Sequence, residues 1–265
     1  RTYPIYNPPH KDTMLGEFQT SVADDALKAV EAAQEALPGW SGTPAPARAG
    51  ILFRAMEILR DRADDIARTI TMEEGKPIAD SMGEVKRAMN IIEYAAGEGR
   101  RMFGYTTPSE LPNTMAYTIK RPLGVVAIIT PWNFPIAIPS WKMLPALVCG
   151  NTCVFKPASD AALTAVHFME AFEEAGLPKG VANLVTGSGS QAGSAVVEHK
   201  DVRVVSFTGS TATGRIVAQT CARDFKRCNL EMGGKNAILG MELLLFLLLL
   251  FTPRPRLVGR SGTVP

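Results

Sequence analysis

Several polar side chains in the second half of the chain follow runs of apolar residues, and their types suit binding and activation of a polar ligand. Asn133 stands between Trp132 and a Phe-Pro pair, and its amide offers two N–H donors to a ligand oxygen. Lys156 and Ser159 supply a cation and a hydroxyl, which suit ribose hydroxyls or a phosphate. Glu231 has apolar neighbours on both sides, surroundings in which a carboxylate can serve as a general base.

Each of these residues also has a purely structural interpretation. Asn133 could form an Asx-turn that caps the following helix. Lys156 could be a solvated surface lysine, and Glu231 could be a surface carboxylate paired with Lys235. The residue types alone leave both interpretations open at every position.

Two glycine-rich segments resemble phosphate-binding loops. Residues 208–214 contain Gly209 and Ser210 and lead directly into a predicted helix, whose free amides would favour a pyrophosphate, although a plain Ser N-cap is an equal alternative. Residues 187–193 carry three glycines, but the third is one residue too late for the usual dinucleotide fingerprint. We therefore interpret residues 187–193 as a tight turn between a strand and a helix.

These residues must be positioned by alternating strands and helices. A β-branched run at residues 123–130 predicts a buried strand, and Pro131 ends it, so that the next residues lie on a rigid loop. Further strands are predicted at residues 115–120, 152–155, 183–186 and 202–207, with helices at residues 136–149, 161–174, 191–199 and 213–221. This alternation predicts an α/β fold with a doubly wound, mostly parallel, Rossmann-like sheet.

The first hundred residues are predicted to be mostly helical. Residues 1–20 are interpreted as extended edge structure, and residues 21–37 as an amphipathic helix that Pro38 and Gly39 end. A second helix is predicted at residues 47–66, and a third stretch at residues 67–102 with a break at residues 75–77.

Composition excludes several classes of partner. The 265-residue chain is 46% hydrophobic with a net charge of +2, and its basic residues form no patch suited to nucleic acid. Its four cysteines lack zinc-site spacing, so we expect no metal site and reduced thiols. We see no signal peptide and expect a cytoplasmic protein.

Four segments together are far more specific than any one of them. They are Thr130-Pro131-Trp132-Asn133-Phe134-Pro135, Phe155-Lys156-Pro157-Ala158-Ser159, Phe207-Thr208-Gly209-Ser210-Thr211 and Leu230-Glu231-Met232-Gly233-Gly234-Lys235. Their order and spacing resemble the NAD(P)-dependent aldehyde dehydrogenase superfamily. The resemblance runs from about residue 6 to residue 239 and includes the break at residues 73–77.

The resemblance implies roles for individual residues. Asn133 matches the family's donor to the oxyanion that forms when a thiolate attacks an aldehyde, and Glu231 matches the general base that activates water to hydrolyse the thioester. The implied cofactor-binding residues are Thr130, Pro131, Trp132, Lys156, Pro157, Ala158, Ser159, Gly209, Ser210 and Met232.

The resemblance also implies a cofactor preference. NAD-preferring members often carry Glu at the position of Ser159, where it accepts hydrogen bonds from both ribose hydroxyls and repels a 2′-phosphate. A small neutral hydroxyl beside Lys156 tolerates that phosphate, so we expect NADP, with NAD as a second cofactor.

The chain departs from the family pattern near its end. We assign residues 1–240 to the cofactor-binding domain, with residues 105–120 as part of a β-rich bridging element used for oligomerisation, and residues 241–265 to a non-family hydrophobic and basic tail. The family's nucleophilic cysteine lies beyond the Glu231 motif, whereas this sequence has no cysteine after Cys228, so we expect that the native continuation is lost and the catalytic cysteine domain is absent. The apolar run at residues 243–251 is too short to span a membrane.

The resulting hypothesis is an enzyme of the family that oxidises an aldehyde to a carboxylate. The run at residues 107–113 resembles members acting on succinate or α-ketoglutarate semialdehyde. The alternatives are a catalytically silent NADP-binding module, or truncated pseudoenzyme, and a misfolded fragment. The family's homo-oligomers are doubtful for this chain because their other bridging strands come from the C-terminal end.

Overall fold

The computed structural model describes residues 1–235 and residue 237. The chain divides into a first unit, Arg1–Met232, which is compact, and a second that begins at Gly233. All elements given below belong to the first unit, and the predicted tail at residues 241–265 lies outside the described residues.

Eight α-helices and nine β-strands are described in the first unit. The helices are α1 (Ala23–Gly42), α2 (Ala45–Asp61), α3 (Ala63–Glu74), α4 (Ile78–Gly97), α5 (Ala137–Val148), α6 (Ala162–Glu174), α7 (Ser194–Glu198) and α8 (Thr211–Arg223). The strands are β1 (Thr2–Asn7), β2 (His10–Gln19), β3 (Thr106–Thr107), β4 (Ala116–Tyr117), β5 (Val125–Ile129), β6 (Thr152–Lys156), β7 (Ala182–Leu184), β8 (Val202–Gly209) and β9 (Arg227–Met232).

The central sheet has five parallel strands in the order β7-β6-β5-β8-β9. From β5 the chain first builds outward through β6 and β7, then crosses to the other side of β5 and builds outward through β8 and β9. The prediction of a doubly wound parallel α/β sheet is thereby confirmed. The order reverses between β5 and β8, and in open α/β sheets the crevice at such a reversal is where ligands bind.

The sheet is covered by helices on both faces, which explains the continuous apolar run of β5. Val126 and Ile128 pack in a core with α2, α4, α5 and α6, whereas Val125 and Ala127 pack in a second core with α1, α7 and α8. Successive side chains of a strand point to opposite faces, so a strand buried on both sides must be apolar at every position.

Two helix predictions were wrong. The first helix does not end at Pro38 but continues to Gly42, because Trp40 is buried and its indole N–H donates to the Leu147 carbonyl at 3.1 Å. The stretch predicted as one helix at residues 47–66 is two helices, α2 and α3, which meet at Arg62 with a φ of −100°.

The remaining boundaries differ less. The predicted break at residues 75–77 is confirmed, since Gly75 has a φ of +79° and ends α3. Residues 1–20 form the expected extended structure, the antiparallel pair β1 and β2. The helix predicted at residues 191–199 is a π-helical turn, Gly189–Gly193, followed by α7.

The segment predicted as part of a bridging element holds little regular structure. The strand expected at residues 115–120 is reduced to the two residues of β4, which pair antiparallel with β3. Tyr105, Met115 and Tyr117 expose their side chains here. Among the described helices, none combines the length and the apolar character needed to cross a membrane.

Candidate functional site at the carboxyl edge of the sheet

The strand register brings the predicted residues of four neighbouring strands to one edge of the sheet. Ile129 of β5 is in register with Lys156 of β6 on one side and with Phe207 of β8 on the other. Glu231 of β9 is in register with Thr208 of β8. Met232 is likewise in register with Gly209, and Thr130 directly follows β5. The candidate site therefore straddles the point where the strand order reverses.

The loop after β5 carries Thr130, Pro131, Trp132 and Asn133. The Thr130 amide donates to the Lys156 carbonyl at 3.3 Å, whereas its buried hydroxyl finds no hydrogen-bond partner in the described part of the chain. Trp132 is 57% exposed. The exposed Asn133 amide makes no side-chain hydrogen bond among the described residues, so the Asx-turn alternative lacks its defining bond.

Lys156 ends β6 with its side chain inside the protein. It is 5% exposed, so the alternative of a solvated surface lysine is wrong. Its ammonium donates to the Pro157 carbonyl at 2.6 Å, and burial lowers the pKa of Lys156 to about 8, partly opposed by the charge of Asp160. A buried cation with a carbonyl as its hydrogen-bond acceptor retains capacity to pair with an anion.

The residues after Lys156 are held by the neighbouring loop. Ala158 precedes a single 3-10 turn, Ser159–Ala161. The Ser159 hydroxyl donates to the Gly187 carbonyl at 3.0 Å. Gly187 has a φ of +112°, a backbone conformation that favours glycine, and the following Ser188 caps a π turn by accepting from the Gln191 amide at 3.3 Å. Residues 187–193 thus form the predicted strand-to-helix turn.

Gly209 and Ser210 connect β8 to α8. The Ser210 hydroxyl accepts from the Thr213 amide at 3.2 Å, as the N-cap alternative predicts. A Cβ at position 209 would lie 2.6 Å from the Phe207 ring, so only glycine fits this close approach. The cap satisfies one amide of the first turn of α8, and a helix N-terminus of this kind also favours anions.

Glu231 is paired with a lysine that the sequence analysis did not single out. Its Oε2 accepts from the Thr208 hydroxyl at 2.8 Å and lies 3.4 Å from Nζ of Lys142 on α5. Lys142 is buried, donates to the Ser206 hydroxyl at 3.1 Å, and has its pKa lowered by burial while Glu231 opposes that shift. The carboxylate itself is 43% exposed, so it is open to a small molecule.

Met232 packs directly over the start of α8. A Cβ added to Gly214 would lie 2.4 Å from the Met232 sulfur. The contact fixes the end of β9 against α8, next to the predicted pyrophosphate position.

A cavity of about 330 Å³ lies between α7 and α8 beside these residues. Apolar side chains including Ile129, Val197 and Val217 form much of its wall. A mostly apolar cavity with a few polar side chains in its lining suits a flat heteroaromatic ring.

Three of the four cysteines have thiols that burial makes harder to ionise. Burial raises the pKa of Cys149 and of Cys153, and raises that of Cys221 to about 11. A nucleophilic cysteine needs a lowered pKa, so these three do not have the surroundings of one. Across the described ranges, no group of three or more His, Cys, Asp or Glu side chains could hold a metal ion.

Some residues that contact the predicted site residues have only weak signals in the local sequence. Lys142 is a single cation in an otherwise apolar helix, which is the only trace of its burial. Lys76 was noted only as part of the helix break at residues 73–77, although it donates to the Asn133 carbonyl at 2.8 Å, and its partner Glu84 was not noted at all.

Comparison with known proteins identifies the relatives of this chain. Residues 1–242 match the aldehyde dehydrogenase family. The chain belongs to the aldehyde dehydrogenase family. It is 44% identical to the 2,5-dioxopentanoate dehydrogenase of Saccharolobus solfataricus, over 88% of this chain and 49% of that protein. It is 42% identical to the succinate-semialdehyde dehydrogenase (NADP+) of Escherichia coli, over 87% of this chain and 48% of that protein.

A solved family structure shares the fold. The crystal structure of PnpE in complex with nicotinamide adenine dinucleotide superposes with a TM-score of 0.86 at 37% identity, and the match covers 89% of this chain and 48% of that one. The chain thus spans about half the length of the curated relatives it matches.

Proposed function

We propose that this chain supplies the NAD(P)-binding part of an enzyme that oxidises an aldehyde to a carboxylate. The observation that carries the proposal is the convergence of Thr130, Lys156, Gly209 and Glu231 at the reversal of the strand order. Family membership over residues 1–242 supports the same assignment. We retain residues 1–240 as the cofactor-binding domain on this basis.

The residues present fit a nicotinamide dinucleotide. The Thr130 hydroxyl is buried without a partner in the described residues, and Lys156 is a buried cation beside it. In our proposal, Lys156 with Ser159 holds the adenosine ribose, while Gly209, Ser210 and the first turn of α8 hold the pyrophosphate. Pro157 and Ala158 shape the ribose loop, and the apolar cavity between α7 and α8 receives the adenine.

The reaction side of the site is proposed around the two predicted catalytic residues. When bound, the cofactor's nicotinamide accepts a hydride from the substrate carbon. Asn133 would donate its free amide N–H to the substrate oxygen as negative charge develops there. Glu231, paired with Lys142 and half-exposed, would take the proton of an attacking water. In our proposal, Pro131 and Trp132 fix the loop that carries Asn133, and Met232, which packs against Gly214, borders the cofactor site.

We infer that NADP is bound at least as well as NAD. Ser159 gives the position a neutral hydroxyl, already engaged with Gly187, that does not repel a 2′-phosphate. The name of the Escherichia coli relative, which includes NADP, supports this preference. Calorimetric titration of the purified chain with both nucleotides tests it, and binding of NAD that is about tenfold tighter or more would contradict it.

We propose a semialdehyde as the substrate class. The resemblance at residues 107–113 and the name of the succinate-semialdehyde relative favour it. Formation of NADPH with succinate semialdehyde, compared with a simple aliphatic aldehyde, tests this choice.

A second candidate function is a cofactor-binding module without turnover. It is favoured by the surroundings of Cys149, Cys153 and Cys221, whose thiols have raised pKa values. Stoichiometric NADP binding without NADPH formation would support this candidate. Turnover that a thiol alkylator abolishes would instead show that one cysteine of this chain acts as the nucleophile.

A further inference from the structure

The helix break at residues 75–77 places Lys76 in a cluster of charged side chains, with Glu74 and Glu84, next to the Asn133 loop. Gly75, with a φ of +79°, reverses the chain after α3 and directs Lys76 toward α4. The Lys76 ammonium lies 2.7 Å from Oε2 of Glu84 and 3.0 Å from Oε2 of Glu74. All three side chains are largely removed from solvent, with exposures of 18% for Lys76, 1% for Glu84 and 2% for Glu74.

Lys76 also holds the loop that carries the predicted oxyanion donor. Its ammonium donates to the Asn133 backbone carbonyl at 2.8 Å, although the two residues are 57 positions apart. The same ammonium lies 4.9 Å from the centre of the Phe134 ring, within cation–π range. Both contacts use parts of the loop other than the Asn133 side chain, which makes no hydrogen bond within the described part of the chain.

Glu84 fixes the other end of the same loop. Its Oε1 accepts from the amides of Ile136 and Ala137, at 2.9 and 3.1 Å, where α5 begins. Lys76 and Glu84 therefore hold the residues on both sides of Pro135 through one continuous ion pair. Buried charges of this kind stay in place only when each is paired, so the arrangement resists alternative geometries.

We propose that the Lys76–Glu84 pair is a positioning device for Asn133. It fixes the backbone at Asn133 and at the start of α5 while leaving the side-chain amide free to meet a developing oxyanion. The role of Asn133 rests on the proposed function, whereas the ordering of the loop does not. Lys76 and Glu84 touch neither substrate nor cofactor in this proposal and act through the loop alone.

The test compares variants of Lys76 in the purified 265-residue chain without any ligand. Lys76→Met removes the ammonium, and Lys76→Arg keeps a cation with several N–H donors. Lys86→Met on the exposed side of α4 is the matched control for loss of a lysine from this region. Glu73→Ala, at the end of α3, is a destabilised control, because the hydrogen bonds of that carboxylate go to α6 rather than to the loop.

Two measurements report on the loop. Hydrogen–deuterium exchange follows the backbone amides of residues 133, 134 and 136–138, since Pro135 has none. In the second measurement, 19F NMR of 5-fluorotryptophan follows Trp132, whose resonance is assigned with Trp132→Phe. We expect Lys76→Met to speed exchange of these amides by about tenfold or more and to broaden or shift the Trp132 resonance. We expect Lys76→Arg to restore both signals toward the parent, and Lys86→Met and Glu73→Ala to leave the Trp132 resonance in place.

Unchanged exchange and an unchanged Trp132 resonance in Lys76→Met would overturn the proposal. Equal loss of loop order in Glu73→Ala would also overturn it, because the effect would then follow general destabilisation. Neither measurement needs a cofactor or an aldehyde, so failure of the proposed function would show in ligand binding while these loop signals stayed as expected.

Discussion

The buried ammonium of Lys156 should make cofactor binding depend on pH in a range where most lysines do not titrate. Burial lowers the pKa of Lys156 to about 8, from an ordinary value of 10.5. Below that pKa the side chain is charged and, in the proposed site, would attract the anionic cofactor. Above it the side chain is neutral, so affinity should fall as the pH rises through about 8.

The size of the effect follows from the fraction of Lys156 that is charged. That fraction is roughly 90% at pH 7 and roughly 10% at pH 9 for a pKa of about 8. If binding requires the ammonium, the dissociation constant for NADP should rise about tenfold across this range, which corresponds to about 1.4 kcal/mol. The 2′-phosphate does not contribute, since its second pKa of about 6 leaves it ionised at both values of pH.

The assay is isothermal titration of NADP into the chain at pH 7, 8 and 9, repeated with two variants. Lys156→Arg keeps its charge throughout, so its affinity should be nearly constant with pH. Lys179→Arg changes an exposed lysine and should retain the parent's dependence. If the affinity of the parent is constant between pH 7 and 9, or if the affinity of Lys156→Arg declines as the parent's does, the charge of Lys156 does not control binding.

Three further predictions concern buried charges. Glu73→Ala leaves two α6 amides and a threonine hydroxyl without their acceptor. It should lower the free energy of unfolding, measured in urea, by roughly 3 kcal/mol, and an unchanged urea midpoint would contradict this. Glu231→Gln should lower the pKa of Lys142 further, seen by 13C NMR of labelled lysine; an unchanged titration would count against the ion pair. Burial raises the pKa of Glu74 from 4.5 to about 7, so the free energy of unfolding should fall by about 3 kcal/mol as the pH rises from 4.5 to 7. The urea midpoint of the parent should therefore be lower at pH 8 than at pH 5, and Glu74→Gln should remove that difference. A difference that persists in Glu74→Gln would disprove this.

The central sheet was predictable because its signals are local. The apolar run of β5, the proline at position 131 and the regular alternation of strands and helices each follow from short segments of sequence. The strands that carry Lys156 and Gly209 were predicted within two residues of their observed ends. Their common position at one edge then follows from parallel topology.

The contacts that position the site were not predictable in the same way. Trp40 extends α1 past Pro38 by bonding to a carbonyl more than 100 residues away. The ion pair of Lys142 with Glu231 likewise joins a helix to a strand far along the chain. A lysine in an apolar helix indicates burial at most, and its partner is set by the packing of α5 on the sheet.

The Asn133 loop combines a feature that the local sequence predicts with contacts that it does not. Its rigidity was expected from Pro131 and Pro135, which restrict the backbone. The contacts of Lys76 and Glu84 with this loop could be seen only in the tertiary structure, because these two residues precede the loop by about 50 positions or more. The same holds for the side-chain amide of Asn133, which these contacts leave without a hydrogen bond among the described residues.

Hydrogen–deuterium exchange of the 265-residue chain with and without NADP would locate the bound cofactor along the sequence. If the cofactor binds at this edge of the sheet, exchange should slow at residues 129–133, 156–159 and 209–214, which comprise the last residues of β5, β6 and β8 and the segments that follow them. Unchanged exchange in these three segments at a saturating concentration of NADP, or protection confined to other parts of the chain, would contradict the placement of the cofactor site at the reversal of the strand order.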